Sequence, residues 1–350
     1  MNGAIIGFGN IAQAHIHAYN VVSDMSITCI IDSSETRINY AKQIHPQIKS
    51  YTSIEKLFEE QCIDFIDICT PPDTHFYYIK KGLLANCHVL CEKPFLTDPE
   101  NYSEVFSLMR SSGKHVYPLH NYKFAPIVKW MKEHVKFNEF GEIKQGYFRT
   151  IRNGHAHGTD EWNKDWRRIP KISAGGILLD HGPHNIYLSI FLLGKNPIAV
   201  SCITGNLNKE DYFSSTEDTA ILSLYFENEV TFILELTWAG CFRKTHYSVI
   251  GSKQSLFVDN NNICISRNGV FETMEMNSDF DDPIHKSWFC EMFYDFLNLI
   301  ENPERQDSLF QEAFITTTVI QKAYESATKK GEILPIKSIF KHNIEANINS

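Results

Sequence analysis

No block of five or more basic residues occurs in this 350-residue sequence, and acidic residues outnumber Lys and Arg by 42 to 33, a formal charge of -9. A nucleic-acid-binding face needs clustered cations to neutralise phosphates, so nucleic acid is not an expected partner. Long apolar runs are also missing: none approaches the roughly 18 residues of a membrane-spanning helix, and no membrane partner is expected. The opening MNGAIIGFGN has no basic leader pattern and runs straight into a strand-like stretch, which sets the expectation of a cytoplasmic protein. The nine cysteines lie singly, apart from Cys87 and Cys91. A C-x-x-x-C pair with no second pair and no nearby histidine is not a zinc pattern, so reduced, structural thiols are expected. Repeats and low-complexity segments are absent too.

What is present divides into two textures. Residues 1–120 alternate short apolar strand-like runs (3–7, 26–32, 64–69, 87–91, 115–119) with helix-like stretches (10–20, 34–44, 53–60, 73–85, 98–111). That alternation predicts an α/β domain with a doubly wound parallel sheet. From residue 121 to 337, strands follow one another through turns: 142–151, 197–205, 217–226, 229–237, 244–250, 255–259, 262–266 and 269–274. Strands without intervening helices predict an α+β domain with a large, mainly antiparallel sheet, accompanied by helices at 184–193, 284–301 and 308–329. Residues 338–350 read as a polar tail.

The first strand runs into GFGNIA at 7–12. Gly7, Gly9 and Ala12 give the G-x-G-x-x-A turn that lets a pyrophosphate approach the backbone at a helix start, with Phe8, Asn10 and Ile11 completing it. About twenty residues later the next strand-like run ends at Asp32, placed to accept from ribose hydroxyls and so to favour NAD, although Ser33, Ser34 and Arg37 leave room for NADP. Thr70-Pro71-Pro72-Asp73-Thr74-His75 follows a strand at the carboxyl edge, where a proline-built helix start and a cofactor contact both fit. Glu92-Lys93-Pro94 ends the next strand, and there an ammonium could hold a substrate hydroxyl. Asp180 and His184 lie four residues apart in AGGILLDHGPH; Pro183 between them suits a first helical turn, so the spacing does not put both on one helical face, but an acid beside a histidine is the ordinary arrangement of a general acid/base. In the stretch 155–168, Trp162 and Trp166 could face a sugar ring and Arg167 could pair with an anion, while a solvated loop fits as well. His155 and His157 form H-x-H with no third ligand evident in the sequence, and no metal is expected.

Taken together, GFGNIA, Asp32, TPPDTH, EKP, HNYKFAP at 120–126, AGGILLDHGPH and AYESATKKGEI at 323–333 resemble the Gfo/Idh/MocA oxidoreductase family over nearly the whole chain. The resemblance implies a Rossmann domain followed by an α/β domain whose open sheet forms a homodimer or homotetramer interface. It implies NAD, or NADP, held by Gly7, Phe8, Gly9, Asn10, Ile11, Ala12, Asp32, Thr70, Pro71, His75, Glu92, Lys93 and Asn121. Lys93, Asp180 and His184 would be catalytic and, with Trp166 and Arg167, would bind substrate. Lys123 and His181-Gly182-Pro183 depart from the usual pattern. The expected reaction is hydride transfer between nicotinamide and a secondary alcohol or ketone of a sugar, cyclitol or nucleotide-sugar derivative. A hydrolase retaining NAD and a non-enzymatic dinucleotide sensor are the alternatives the resemblance leaves open.

Overall fold

The computed structural model describes residues 1–208, 216–282 and 284–337. The expected polar tail lies outside them. The first sheet is parallel and six-stranded: β1 (Asn2–Ile6), β2 (Ser26–Ile31), β3 (Lys49–Tyr51), β4 (Phe65–Ile68), β5 (His88–Cys91) and β6 (Val116–Pro118), in the order β3-β2-β1-β4-β5-β6. The strand order reverses direction between β1 and β4, and ligands of such sheets sit beyond the carboxyl ends at that reversal. The turn after β1 and the Thr70 segment after β4 meet there: a Cβ on Gly7, whose φ is +86°, would lie 2.8 Å from Thr70 Cγ2. β4 and β5 are buried along their whole length, the pattern of strands covered on both faces.

The second sheet has nine strands: β7 (Ile143–Ile151), β8 (Ala199–Gly205), β9 (Thr219–Tyr225), β10 (Thr231–Thr237), β11 (Lys244–Gly251), β12 (Ser255–Asp259), β13 (Asn262–Arg267), β14 (Val270–Glu275) and β15 (Leu334–Pro335), in the order β14-β13-β12-β11-β7-β10-β9-β8-β15. Among the described residues of this sheet, only the β7–β10 pair is parallel. Buried residues alternate along β9 and β10, so one face is covered and the other is open. Helices Gly182–Leu193 and Gln306–Thr328 supply the covered side's packing, through Ile186, Tyr187, Ile190, Val319 and Ile320. Helix Gly182–Leu193 is apolar around most of its circumference, as a helix enclosed on every side must be, and it stops at Gly194 in the left-handed region.

Among the elements outside the sequence reading are the three-residue edge strand β3, the two-residue β15 and helix Pro126–Lys136. The two strands are too short to show a period of two. The helix opens on a proline at its first position and buries Ile127, Val128 and Met131, a legible pattern that the charged residues between them obscured.

Chain order also misleads in one place. A division at residue 120 assigns helix Lys286–Glu301 to the second domain, yet its Phe289, Met292, Phe293, Phe296 and Leu299 pack into the first core with Ala14, Tyr19 and Phe65. Phe293 stacks on Tyr19 with ring centroids 4.1 Å apart.

Candidate active site

The glycine turn fits a dinucleotide on its own geometry. A Cβ on Gly9 would meet no atom within 4 Å, and no side chain caps the start of helix Asn10–Tyr19, so backbone N–H groups face outward at its positive end. Asp32 braces the turn: its Oδ2 accepts from Phe8 N at 2.7 Å and its Oδ1 from Ser34 N at 2.8 Å. Each oxygen keeps a lone pair for a ribose hydroxyl. Arg37 closes the same corner, donating through Nε to Phe8 O at 2.8 Å. Asn121 is buried with Oδ1 unpartnered among the described residues, an acceptor suited to a carboxamide or hydroxyl donor.

Some residues of the expected cofactor set are structural. His75 is wholly buried, and its two ring nitrogens lie 2.9 Å from Pro94 O and Thr70 O. It ties the segment after β4 to the one after β5 and presents no free nitrogen. Glu92 is likewise turned inward: it receives His15 Nε2 at 3.2 Å and Lys93 N at 3.0 Å. His15 continues to Asp67 at 2.8 Å, and Tyr19 donates to the same Asp67 oxygen at 2.8 Å. Burial, the largest single influence, would lower the His15 pKa, but Asp67 and Cys69 together outweigh it and raise the value well above the usual imidazole range. This charged network, inside a strand core, sits one residue from Lys93.

Lys93 reaches across from β5 to the second domain. Its Nζ donates to the carbonyl oxygen of Asp180 at 2.7 Å and to its Oδ1 at 2.8 Å. Arg167 Nε donates to the same Oδ1 at 3.3 Å. Burial would raise the Asp180 pKa, yet Lys93 and Arg167 hold it well below the usual carboxylate range. Asp180 is therefore an anion clamped by two cations. The expectation that it orients His184 is corrected by this geometry. Nδ1 of His184 lies 2.8 Å from the hydroxyl of Tyr187, and its ring stacks on Tyr122 at 4.0 Å. Burial, reinforced by Lys93 and His181, holds the His184 pKa well below 6.5, so the ring is neutral at neutral pH.

Arg167 is engaged as well. Besides Asp180 it donates through Nη1 to Ala156 O at 2.9 Å, and its guanidinium lies 4.2 Å over the Trp166 ring. In this arrangement Arg167 braces Asp180. Trp162 is exposed and Trp166 half-buried.

Two supporting carboxylates escaped sequence reasoning. Glu217 accepts from Gly176 N at 3.0 Å, Leu178 N at 3.0 Å and Tyr324 Oη at 2.8 Å, and so caps the short helix Ile177–Asp180 that delivers Asp180. A Cβ on Gly176 would lie 2.0 Å from Glu217 O, which is why glycine stands there. Glu312, on helix Gln306–Thr328, accepts from Lys123 Nζ and, at 2.8 Å, from His120 Nδ1. The His120 ring stacks 4.0 Å from that of Tyr187. All nine cysteines are free, but Cys62 and Cys241 are exposed rather than packed. No described helix is long and apolar enough to cross a membrane.

Residues 1–120 match the family model described as an oxidoreductase family with an NAD-binding Rossmann fold, and residues 128–257 match the GFO/IDH/MocA C-terminal domain. D-glucoside 3-dehydrogenase from Escherichia coli strain K12 is 23% identical over 342 residues, covering 93% of this chain and 94% of its own. Myo-inositol 2-dehydrogenase from Thermotoga maritima is 23% identical over 262 residues, 74% of this chain and 75% of that one. Among solved structures, levoglucosan dehydrogenase in complex with NADH and levoglucosan superposes with a TM-score of 0.83 at 17% identity, over 96% of this chain and 99% of that one. At that identity the likeness is one of fold.

Proposed function

Because this chain belongs to the Gfo/Idh/MocA oxidoreductase family and is an NAD-dependent dehydrogenase, we propose that it oxidises a secondary alcohol of a sugar or cyclitol, with Lys93 and His184 at the reacting oxygen. The observation that carries this reading is the clamp of Lys93 on Asp180. It joins the carboxyl edge of the nucleotide-binding sheet to the segment that bears His184. Relatives named for D-glucoside and myo-inositol oxidation support the substrate class.

Bound NAD supplies the hydride acceptor. The chain's own residues deal with the proton and the charge. As the hydroxyl proton leaves the substrate oxygen, the neutral His184 imidazole takes it on Nε2, in the tautomer whose Nδ1–H faces the Tyr187 hydroxyl 2.8 Å away. Nε2 has no hydrogen-bond partner among the described residues. Lys93 holds the negative charge developing on that oxygen, and Asp180 fixes the ammonium where it is needed. The open face of the second sheet is the surface through which we expect the chain to pair with copies of itself.

The test is a screen of neutral and anionic sugars and cyclitols for NADH absorbance, run in parallel with Lys93→Met. A substrate found with the native enzyme should lose at least about a hundredfold in kcat in the variant, while NAD affinity changes by no more than a few-fold. Normal turnover in the variant would remove Lys93 from the chemistry. Consumption of a glycoside without net NADH would point instead to hydrolysis with retained NAD.

A further inference from the structure

The chain from Arg152 to Ile169 crosses the cleft as a strap. At one end Asn10, in the glycine turn, donates through Nδ2 to His157 O at 3.3 Å; at the other Arg167 reaches Asp180. The strap doubles back on itself, with Gly158 N donating to Lys164 O at 2.7 Å. A side chain could not stand at that return, since a Cβ on Gly158 would lie 2.6 Å from Asn163 O. The return delivers what the sequence did not show, a third ligand beside the H-x-H pair. Asp165 Oδ1 lies 3.2 Å from His155 Nε2 and 3.2 Å from His157 Nδ1. All three ligand atoms fall within 4.8 Å of one another.

We propose that His155, His157 and Asp165 bind a divalent cation of the zinc class. Ligand bonds of about 2.0–2.1 Å in a tetrahedron place neighbouring donor atoms about 3.3 Å apart, the spacing Asp165 already keeps to both histidines. Two imidazoles and one carboxylate select zinc, cobalt or nickel over magnesium or calcium, which prefer all-oxygen sites. The guanidinium groups of Arg167 and Arg168 lie close to His155. Those guanidinium groups repel a cation, but the charge of Arg167 is offset by its contact with Asp180. His157 is exposed, which leaves solvent access to a fourth position. The grouping of His15, Asp67 and Cys69 makes a poorer site: it is wholly buried, and Tyr19 and Glu92 already saturate its polar atoms. An ion on the strap would stiffen the segment that spans the glycine turn and Asp180.

The experiment is a titration of the full chain with Co²⁺, read by the visible absorption of tetrahedral cobalt, followed by displacement with Zn²⁺. One equivalent should bind and be displaced by zinc. His157→Ala and Asp165→Asn should each weaken binding by at least about tenfold, since even supporting shells of metal sites are worth that much. Both substitutions lie on a solvent-facing strap, and circular dichroism verifies that they leave the fold intact. Absence of a tetrahedral band in the native chain overturns the proposal. So does a band that persists unchanged in both variants, which would place the cobalt on thiols such as Cys62 or Cys241.

Discussion

His184 and Glu312 show how burial and a charged partner can leave two groups in opposite states. With its pKa held below 6.5 by burial, His184 is a base throughout the neutral range and is lost as a base only when acid protonates it. The kcat for alcohol oxidation should therefore stay flat from pH 8 down to about 6.5 and fall only below that. His184→Ala should lower kcat by about a hundredfold or more and abolish the acid limb, and a limb unchanged in that variant would assign it to another group. Glu312 is the reverse case. Burial would raise its pKa, but Lys123 and His120 bring it down to about 2. A depressed carboxylate stabilises the fold above its unfolded value of 4.5, and that contribution disappears as pH falls through about 2. Glu312→Gln should cost on the order of 3 kcal/mol at neutral pH, with the gap to the native protein closing between pH 5 and 2 in denaturant melts. Lys93, Asp180 and His184 were legible because each sits in a short motif at a strand or helix end. Tyr187 was within reach, one turn along the same helix. Glu312 was not, because it is an ordinary acid on a long helix, brought to Lys123 from 189 residues away.

Helix Ile177–Asp180 shows the same limit for a whole element. It has four residues, far fewer than an isolated helix needs, and it persists because Glu217 and Tyr324 hold its first turn. The sequence displayed the two glycines of AGG and the tyrosine of AYES as separate signals; only the fold reveals that one carboxylate joins them. Gly176→Ala forces a methyl group onto Glu217 O, which lies 2.0 Å from the Cβ position. The expected loss is about 1–3 kcal/mol in stability, with kcat falling as Asp180 is displaced from Lys93. Thermal melts and kinetics on one preparation check this, and Glu217→Gln should reproduce the kinetic defect without the steric clash. The sheets were easier to read, since strand alternation and β-branched runs are local properties. The packing of helix Lys286–Glu301 was not local: its aromatic stripe signalled burial without saying against which sheet.

At the scale of the molecule, that helix makes the two domains unequal partners. The first core takes Phe289, Phe293 and Phe296 from beyond the second sheet, and it takes Phe310 and Ala313 from the helix after that. Residues 1–120 expressed alone should bind the dye ANS and show a broad, weakly cooperative melt, because Tyr19 and Phe65 lose their covering aromatics. Adding residues 286–328 back through a flexible linker should sharpen the melt. A sharp transition in the short fragment would show that the late helices are dispensable for that core.

The helix that stacks Phe293 on Tyr19 also sets a schedule for synthesis. A ribosome adding roughly 5–20 residues per second delivers residues 286–301 tens of seconds after helix Asn10–Tyr19 has emerged. Throughout that interval the nascent chain carries an aromatic seam with no cover, long enough for a chaperone to bind it or for two neighbouring chains on one message to meet. Moving the segment encoding 286–328 ahead of residue 1 by circular permutation would close the seam early and should raise soluble yield in cells short of chaperones.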